Sequence, residues 1–267
     1  MNPHSAIRNP QSARAAPLLE ILGETADWAA VVKPAGLATI PGRAETDSVL
    51  ERLGRQLGLP SSGSADPRVR VVHRLDKDTS GVLLFAKNAG TQRHLSHQFQ
   101  NNTVEKEYLA LVVGRPETSA GEVDAPLARH PTDPTRMAVV KHGGRPARTA
   151  WKVEQAFRGF ALLRVFPRTG KTHQFRVHLK HVGLPLAIDP LYNRPRPGAS
   201  GALMLSSFKR GYRPTRGEDE RPLMERLTLH AERLAFAGLA GQRVSFEAPL
   251  PKDFRATLNQ LARHGAR

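Results

Sequence analysis

Val71-Val72-His73-Arg74-Leu75-Asp76-Lys77-Asp78-Thr79-Ser80-Gly81 is the stretch from which the rest of the chain can be read. A β-branched apolar start runs into a carboxylate, then into Thr-Ser-Gly, then into a second apolar run from Val82 to Phe85. That order predicts a strand, a tight turn and a second strand, with Asp76 carried at the end of a rigid element. A single Asp in such a place commonly bonds its own backbone and makes the turn. The less common alternative is a carboxylate presented for chemistry by a fixed scaffold.

The flanking segments read outward from there. Trp28 to Val32 is a buried strand, broken by Lys33-Pro34-Ala35-Gly36. Between 46 and 57, Val49, Leu50, Leu53 and Leu57 have helical spacing, with Asp47 and Ser48 near the start. Residues 60–67 form a loop rich in Pro, Ser, Gly and Asp, and 89–100 form a helix with Leu95 and Phe99 on one face. Val104 to Val113 is β-rich, one side carrying Val104, Lys106, Tyr108, Ala110 and Val112. Ala150–Phe157 and Phe160–Phe166 read as a hairpin through Arg158-Gly159. Thr172 is expected to cap a helix running to His181, with Gly183 just past its end. Residues 227–236 look like a strand, and 114–148 and 193–222 are irregular and basic. Strands outnumber helices and no repeat is visible. The expectation is one mixed α/β domain, α+β-like, over residues 17–262, between a loose leader (1–16) and a short tail (263–267).

Composition narrows the function. The net charge of +16 arises from 40 basic and 24 acidic residues, and such an excess attracts polyanions, nucleic acid first among them. No apolar run approaches the roughly 20 residues a spanning helix needs, so no membrane is expected. The absence of cysteine excludes disulfides, thiolate metal sites and cysteine nucleophiles. The first nineteen residues lack acids and carry Arg8 and Arg14, but their proline breaks make a poor amphipathic helix. A cytoplasmic protein is expected.

Three motif-like segments fail on spacing. Gly170-Lys171-Thr172 ends like a phosphate-binding loop, but Val165 stands where its first glycine belongs. Asp76, Asp78, Ser80 and Gly81 begin like a calcium loop whose twelfth position is Lys87. His173, His178 and His181 are dense, but on a helix their spacing turns them onto different faces and no acid completes a set. No metal is expected. On that helix Phe175, Leu179 and Val182 fall on one apolar face, while His173, Arg176 and Lys180 fall on another. Arg176 is then either presented to a site from a fixed position or an ordinary solvated charge. Tyr108 is either a core ring with a satisfied hydroxyl or a platform for a base.

Taken together and in order, these segments resemble the RluA family of pseudouridine synthases. Lys33-Pro34-Ala35-Gly36 with Pro41 resembles its first motif, and His73 to Gly81 its catalytic motif. Lys106-Glu107-Tyr108 with Val112-Val113-Gly114 resembles its tyrosine strand. Thr169 to His178, continued by Pro185, Asp189 and Tyr192, is similar to its third motif. Leu229-His230-Ala231 and Ala248-Pro249-Leu250-Pro251 resemble its closing segment. The likeness covers about residues 18 to 260. Lys171 departs from it, standing where the family usually has arginine, and the N-terminal RNA-binding module of many relatives is not expected here.

The resemblance implies a mixed, largely antiparallel sheet with flanking helices and basic insertions. It also implies a redox-neutral isomerisation of uridine in ribosomal or transfer RNA, without cofactor or metal. Asp76 is then the essential carboxylate, which either attacks the sugar C1′ or takes a proton from C2′. Arg176 is the implied partner that aims Asp76; unit charges 4 Å apart attract by about 4 kcal/mol at an effective dielectric near 20. Tyr108 lies against the base, with a second implied role in removing the C5 proton. Arg74 contacts RNA or fills the gap left by a flipped base. His73, Lys33, Thr79, Lys171, Thr172 and His173 complete the implied substrate contacts. The basic stretch 129–148 (Arg129, His130, Arg136, Lys141, His142, Arg145, Arg148) is expected either to grip RNA or to be a solvated loop. The same alternatives hold for 193–222, with Arg194, Arg196, Lys209, Arg210, Arg213, Arg216 and Arg221 against Glu218, Asp219 and Glu220. A monomer is expected. The alternatives are a non-catalytic RNA-binding or ribosome-assembly protein on this fold, and a metal-dependent nuclease, which lacks an acidic ligand cluster in the sequence.

Overall fold

The computed structural model describes residues 17–42, 45–195, 201–209, 211–213 and 219–265. In chain order its elements are β1 (Glu20–Glu24), β2 (Trp28–Lys33), α1 (Val49–Leu57), β3 (Arg70–Val71), β4 (Ser80–Ala86), α2 (Ala89–Gln100), β5 (Glu105–Val113), β6 (Ala120–Asp124), β7 (Leu127–Arg129), β8 (Met137–Val139), β9 (Arg148–Phe157), β10 (Phe160–Pro167), α3 (Gln174–His181), β11 (Leu229–Ala237), β12 (Arg243–Glu247) and α4 (Lys252–His264). Ten strands make one sheet along β1-β2-β4-β11-β5-β10-β9-β6, with β12 on β11 and β3 on β4. Its pairs are antiparallel except β11 with β4. β7 and β8 form a separate hairpin.

β4 is buried along its whole length, which is why its apolar residues run on without polar alternation. β5 alternates instead. Tyr108, Ala110 and Val112 share a core with Val49, Leu50 and Leu53 of α1 and Phe175 and Leu179 of α3. Leu109 and Leu111 join Phe254 and Leu261 of α4. Full burial of each such Leu or Phe contributes about 1.5–3 kcal/mol. α1 and α2 begin where side chains satisfy their first amides: Ser48 accepts from Glu51 N–H, and Asn88 from Thr91 N–H. One glycine is indispensable to the site's geometry. A Cβ on Gly81, at φ 126°, would lie 2.1 Å from the carbonyl oxygen of Ala231. Only glycine therefore lets β4 and β11 meet just past Asp76.

Several expectations are corrected. β3 has two residues, so Asp76 sits in the connection 72–79 and not at the end of a strand leading into a tight turn. Thr172 does not cap α3. The cap position is His173, in the left-handed region at φ 55°, and Gln174 Oε1 accepts from Lys171 N–H at 3.0 Å. The predicted two faces of α3 do not survive either: Gln174 through Leu179 are all buried, Arg176 included, while Val182 is exposed. The first six residues of α3 are enclosed and only Lys180 and His181 at its end are exposed, so no face runs along the helix for a periodicity argument to find. β1, β12 and the hairpin β7–β8 were not expected, and α4 reaches into the segment read as a tail. The expected leader 1–16, and residues 196–200, 210 and 214–218 of the second basic stretch, lie outside the described residues.

Candidate active site

A cleft of about 550 Å³ is lined by Asp76, Tyr108, Arg176, Arg74, Lys171 and His173, among others. The connection bearing Asp76 is pinned from several sides. Lys33, fully buried at the end of β2, donates all three ammonium hydrogens to carbonyl oxygens, those of Pro34 (2.8 Å), Lys77 (2.6 Å) and Thr79 (2.8 Å). Burial pushes its pKa down to about 7, against the opposing charges of Asp78 and Asp76. Thr39 Oγ1 donates to Leu75 O at 2.9 Å and accepts from Leu75 N–H at 3.2 Å. His73 stacks on Phe99 (centroids 4.3 Å apart, planes at 13°), and its Nε2 accepts from Leu84 N–H at 3.0 Å. Burial holds His73 neutral, with its pKa lowered to about 3.

These contacts correct two expected substrate residues. Lys33 does not line the cleft, and no hydrogen of its ammonium group remains for RNA. Thr79 borders the cleft but is buried, and its backbone secures the connection through Lys33 Nζ and Asp76 O. His73 also lines the cleft, where its bonded nitrogen and stacked ring make it a prop for the connection. Arg74 is exposed at the cleft, as is Thr172, and Lys171 is half-buried there.

Arg176 approaches Asp76, but not as its main partner. Its Nε and Nη2 donate to the two oxygens of Asp189 at 2.8 and 2.7 Å, and Nη1 lies 3.4 Å from Asp76 Oδ2. Asp189 is itself held, Oδ1 accepting from the amides of Leu191 (3.0 Å) and Tyr192 (3.1 Å). Burial opposes the guanidinium charge, but the hydrogen bonds to Asp189 and the charges of Asp189 and Asp76 outweigh it and raise the Arg176 pKa. Asp76 thus meets a fixed cation whose own position is set by a second carboxylate. Among the described residues no hydrogen bond reaches Asp76 Oδ1.

Tyr108 projects from β5 with its ring against Phe175, centroids 4.6 Å apart. Burial, and next the charge of Asp76, raise its pKa, so the phenol stays protonated. His173 places Nε2 3.8 Å from Asp76 Oδ2 and Nδ1 2.9 Å from the hydroxyl of Tyr192. His178 turns elsewhere, to Thr149 and the carbonyl of Ala125, so the three histidines do not converge. Sequence reasoning gave no role to Asp189, Tyr192 or the half-buried Lys106, whose Nζ lies 5.7 Å from the Phe99 ring centroid at the cleft. Asp189 and Tyr192 were visible only as continuations of a motif; nothing in their spacing pointed to Arg176 and His173.

A family model described as RNA pseudouridylate synthase matches residues 27–181, a span that includes Asp76, Tyr108 and Arg176. A protein of Nitrosomonas europaea named ribosomal large subunit pseudouridine synthase D is 41% identical over 255 residues, covering 95% of this chain and 68% of the relative. Its namesake in Xanthomonas campestris pv. campestris is 38% identical over 251 residues, covering 93% and 71%. Among solved structures, human RNA pseudouridylate synthase domain containing 4 superposes with a TM-score of 0.69 at 27% identity, over 91% of this chain and 93% of that one.

Proposed function

The chain belongs to the RNA pseudouridylate synthase family and is an RNA-modifying isomerase; we propose that its substrate is large-subunit ribosomal RNA and that Asp76 carries the reaction. The names of the two bacterial relatives support the choice of RNA. Transfer RNA is the other class. In the isomerisation the C1′–N1 bond of a uridine breaks, the base turns, and a C1′–C5 bond forms. C5 loses its proton and N1 gains one, so neither water nor electrons are consumed.

One observation carries the assignment of the site. Asp76, fixed in a braced connection, faces a buried cation at 3.4 Å and a protonated tyrosine's ring within one cleft. Arg176 occupies the Oδ2 side, which leaves Oδ1 for the sugar. The Tyr108 ring supports a stacking role against the uracil, since every base offers a π-face. Because its phenol is held neutral, removal of the C5 proton by a phenolate would require RNA binding to reverse that balance. Extruding the base costs a few kcal/mol, and phosphate contacts by the basic surface supply binding energy to offset it. Arg74, exposed beside Asp76, is placed to contact the backbone or the vacated stack.

No helix among the described residues is long and apolar enough to cross a membrane. Our reading is a cytoplasmic monomer acting on ribosomal RNA. The test is a pseudouridine map of total RNA from cells with and without the protein, rescued by wild type or by Asp76→Asn. Expected is the loss of one or a few sites in large-subunit RNA, restored by wild type alone. An unchanged map, or losses confined to transfer RNA, would overturn the proposed substrate.

A further inference from the structure

The hydroxyl of Tyr192 stands between the active site and the β7–β8 hairpin. The amide of Met137, the first residue of β8, donates to Tyr192 Oη at 2.7 Å, and His173 Nδ1 lies 2.9 Å from the same oxygen. An amide can only donate, so it occupies a lone pair of that oxygen. The phenolic hydrogen then has Nδ1 as the one acceptor found among the described residues. Tyr192 is buried, and leaving that hydrogen unpaired would be costly. Nδ1 therefore accepts, and the ring hydrogen resides on Nε2. Nε2 is the nitrogen that points at Asp76 Oδ2, 3.8 Å away.

The backbone supports a placement made for function. His173 holds a left-handed conformation, one of two non-glycine residues among the described positions to do so. Such strain persists where surrounding structure fixes it, and it clusters at functional sites. The ring is also enclosed by charge. Asp76, Asp189, Arg176 and Arg74 act on it, and Arg176 and Arg136 lie 5.1 and 5.3 Å from the Tyr192 ring centroid. Burial, with Arg176 and Arg74, lowers the His173 pKa against the pull of Asp76 and Asp189. The neutral, single-tautomer ring is thus the resting form.

We propose that Tyr192 and His173 are positioning residues for Asp76: Tyr192 fixes His173 as its Nε2–H tautomer, and that N–H closes onto Asp76 Oδ2 beside Arg176 when RNA binds, leaving Oδ1 for the sugar. The present 3.8 Å is too long for a hydrogen bond, and catalytic hydrogen bonds commonly tighten only in the substrate complex. Through Met137 the same hydroxyl ties the hairpin, which carries Arg129 and leads into Arg136, to the reacting carboxylate. Seating of RNA on that arm would be felt at Asp76.

The inference rests on Asp76 being the reacting carboxylate, and the test separates the two. Long-range proton–nitrogen correlation spectra of the full-length protein, with His173→Gln identifying the signal, should show hydrogen on Nε2 in wild type. In Tyr192→Phe the single tautomer should be lost. Single-turnover rates on RNA tritiated at uracil C5 then compare two substitutions with opposite demands. Asparagine tolerates the left-handed backbone but imitates only Nδ1; glutamine suits that backbone less but places an N–H near Nε2. His173→Gln should retain at least about tenfold more activity than His173→Asn, the scale of one hydrogen bond to a charged group. Hydrogen on Nδ1 in wild type, or Asn outperforming Gln, would overturn the proposal while leaving Asp76 in place. Full turnover by Asp76→Asn would overturn both.

Discussion

Asp76 Oδ2 lies 3.4 Å from Arg176 Nη1, and among the described residues no hydrogen bond reaches Oδ1. A carboxylate, a tyrosine and an arginine can be picked out of the chain, and all three line one cleft. That Arg176 gives its two best hydrogen bonds to Asp189, thirteen residues on, could not be read, because an aspartate in a loop looks like any turn-former. Lys33 misled for a related reason. The resemblance implied a substrate contact for it, yet three backbone carbonyls converge on its ammonium group. For Tyr108 the physical role assigned is a ring face, and that has a direct consequence. Tyr108→Phe should bind target RNA within about twofold of wild type, while Tyr108→Leu should bind some 5- to 100-fold more weakly, the range of one lost stacking contact. Equal weakening in both, measured by equilibrium titration, would contradict stacking.

Among the elements, those with local signals were read well. α1 and α2 have capping side chains, and the β9–β10 hairpin turns at Arg158-Gly159. β12 escaped notice because it is short and half-exposed, and α4 because Pro251 precedes it without a capping side chain. Two histidines that join elements around the Asp76 connection make a prediction about acid. His230 of β11 is fully buried, with Nδ1 2.9 Å from Ser80 Oγ and Nε2 3.1 Å from the carbonyl of Ala248. Burial lowers its pKa to about 4, and that of His73 to about 3. An unfolded histidine titrates near 6.5. Below that pH the unfolded chain takes up protons the folded one refuses, so stability falls as pH drops. Each histidine contributes about 1.4 kcal/mol per pH unit within that window. Urea midpoints should decline steadily from pH 6.5 to 5, and less steeply in His230→Phe. A flat profile over that range would contradict the buried neutral rings.

Over the whole molecule, charge pointed to a polyanion, but the sheet order was beyond reach. β4 pairs with β11 in parallel across most of the chain's length, and β5 joins β11 on its other side. No local propensity encodes such distant pairings. On our reading the excess of +16 grips RNA and Asp76 performs the chemistry, and one measurement examines that division. RNA binding and tritium release from uracil C5 would be followed together, across a salt series, for wild type and Asp76→Asn. Both proteins should bind along the same curve, with a log–log slope of roughly −0.7 for each single-stranded phosphate contacted, and only wild type should release tritium. Release by the variant, or affinity lost in step with turnover, would contradict the assignment of Asp76 as the residue that performs the reaction.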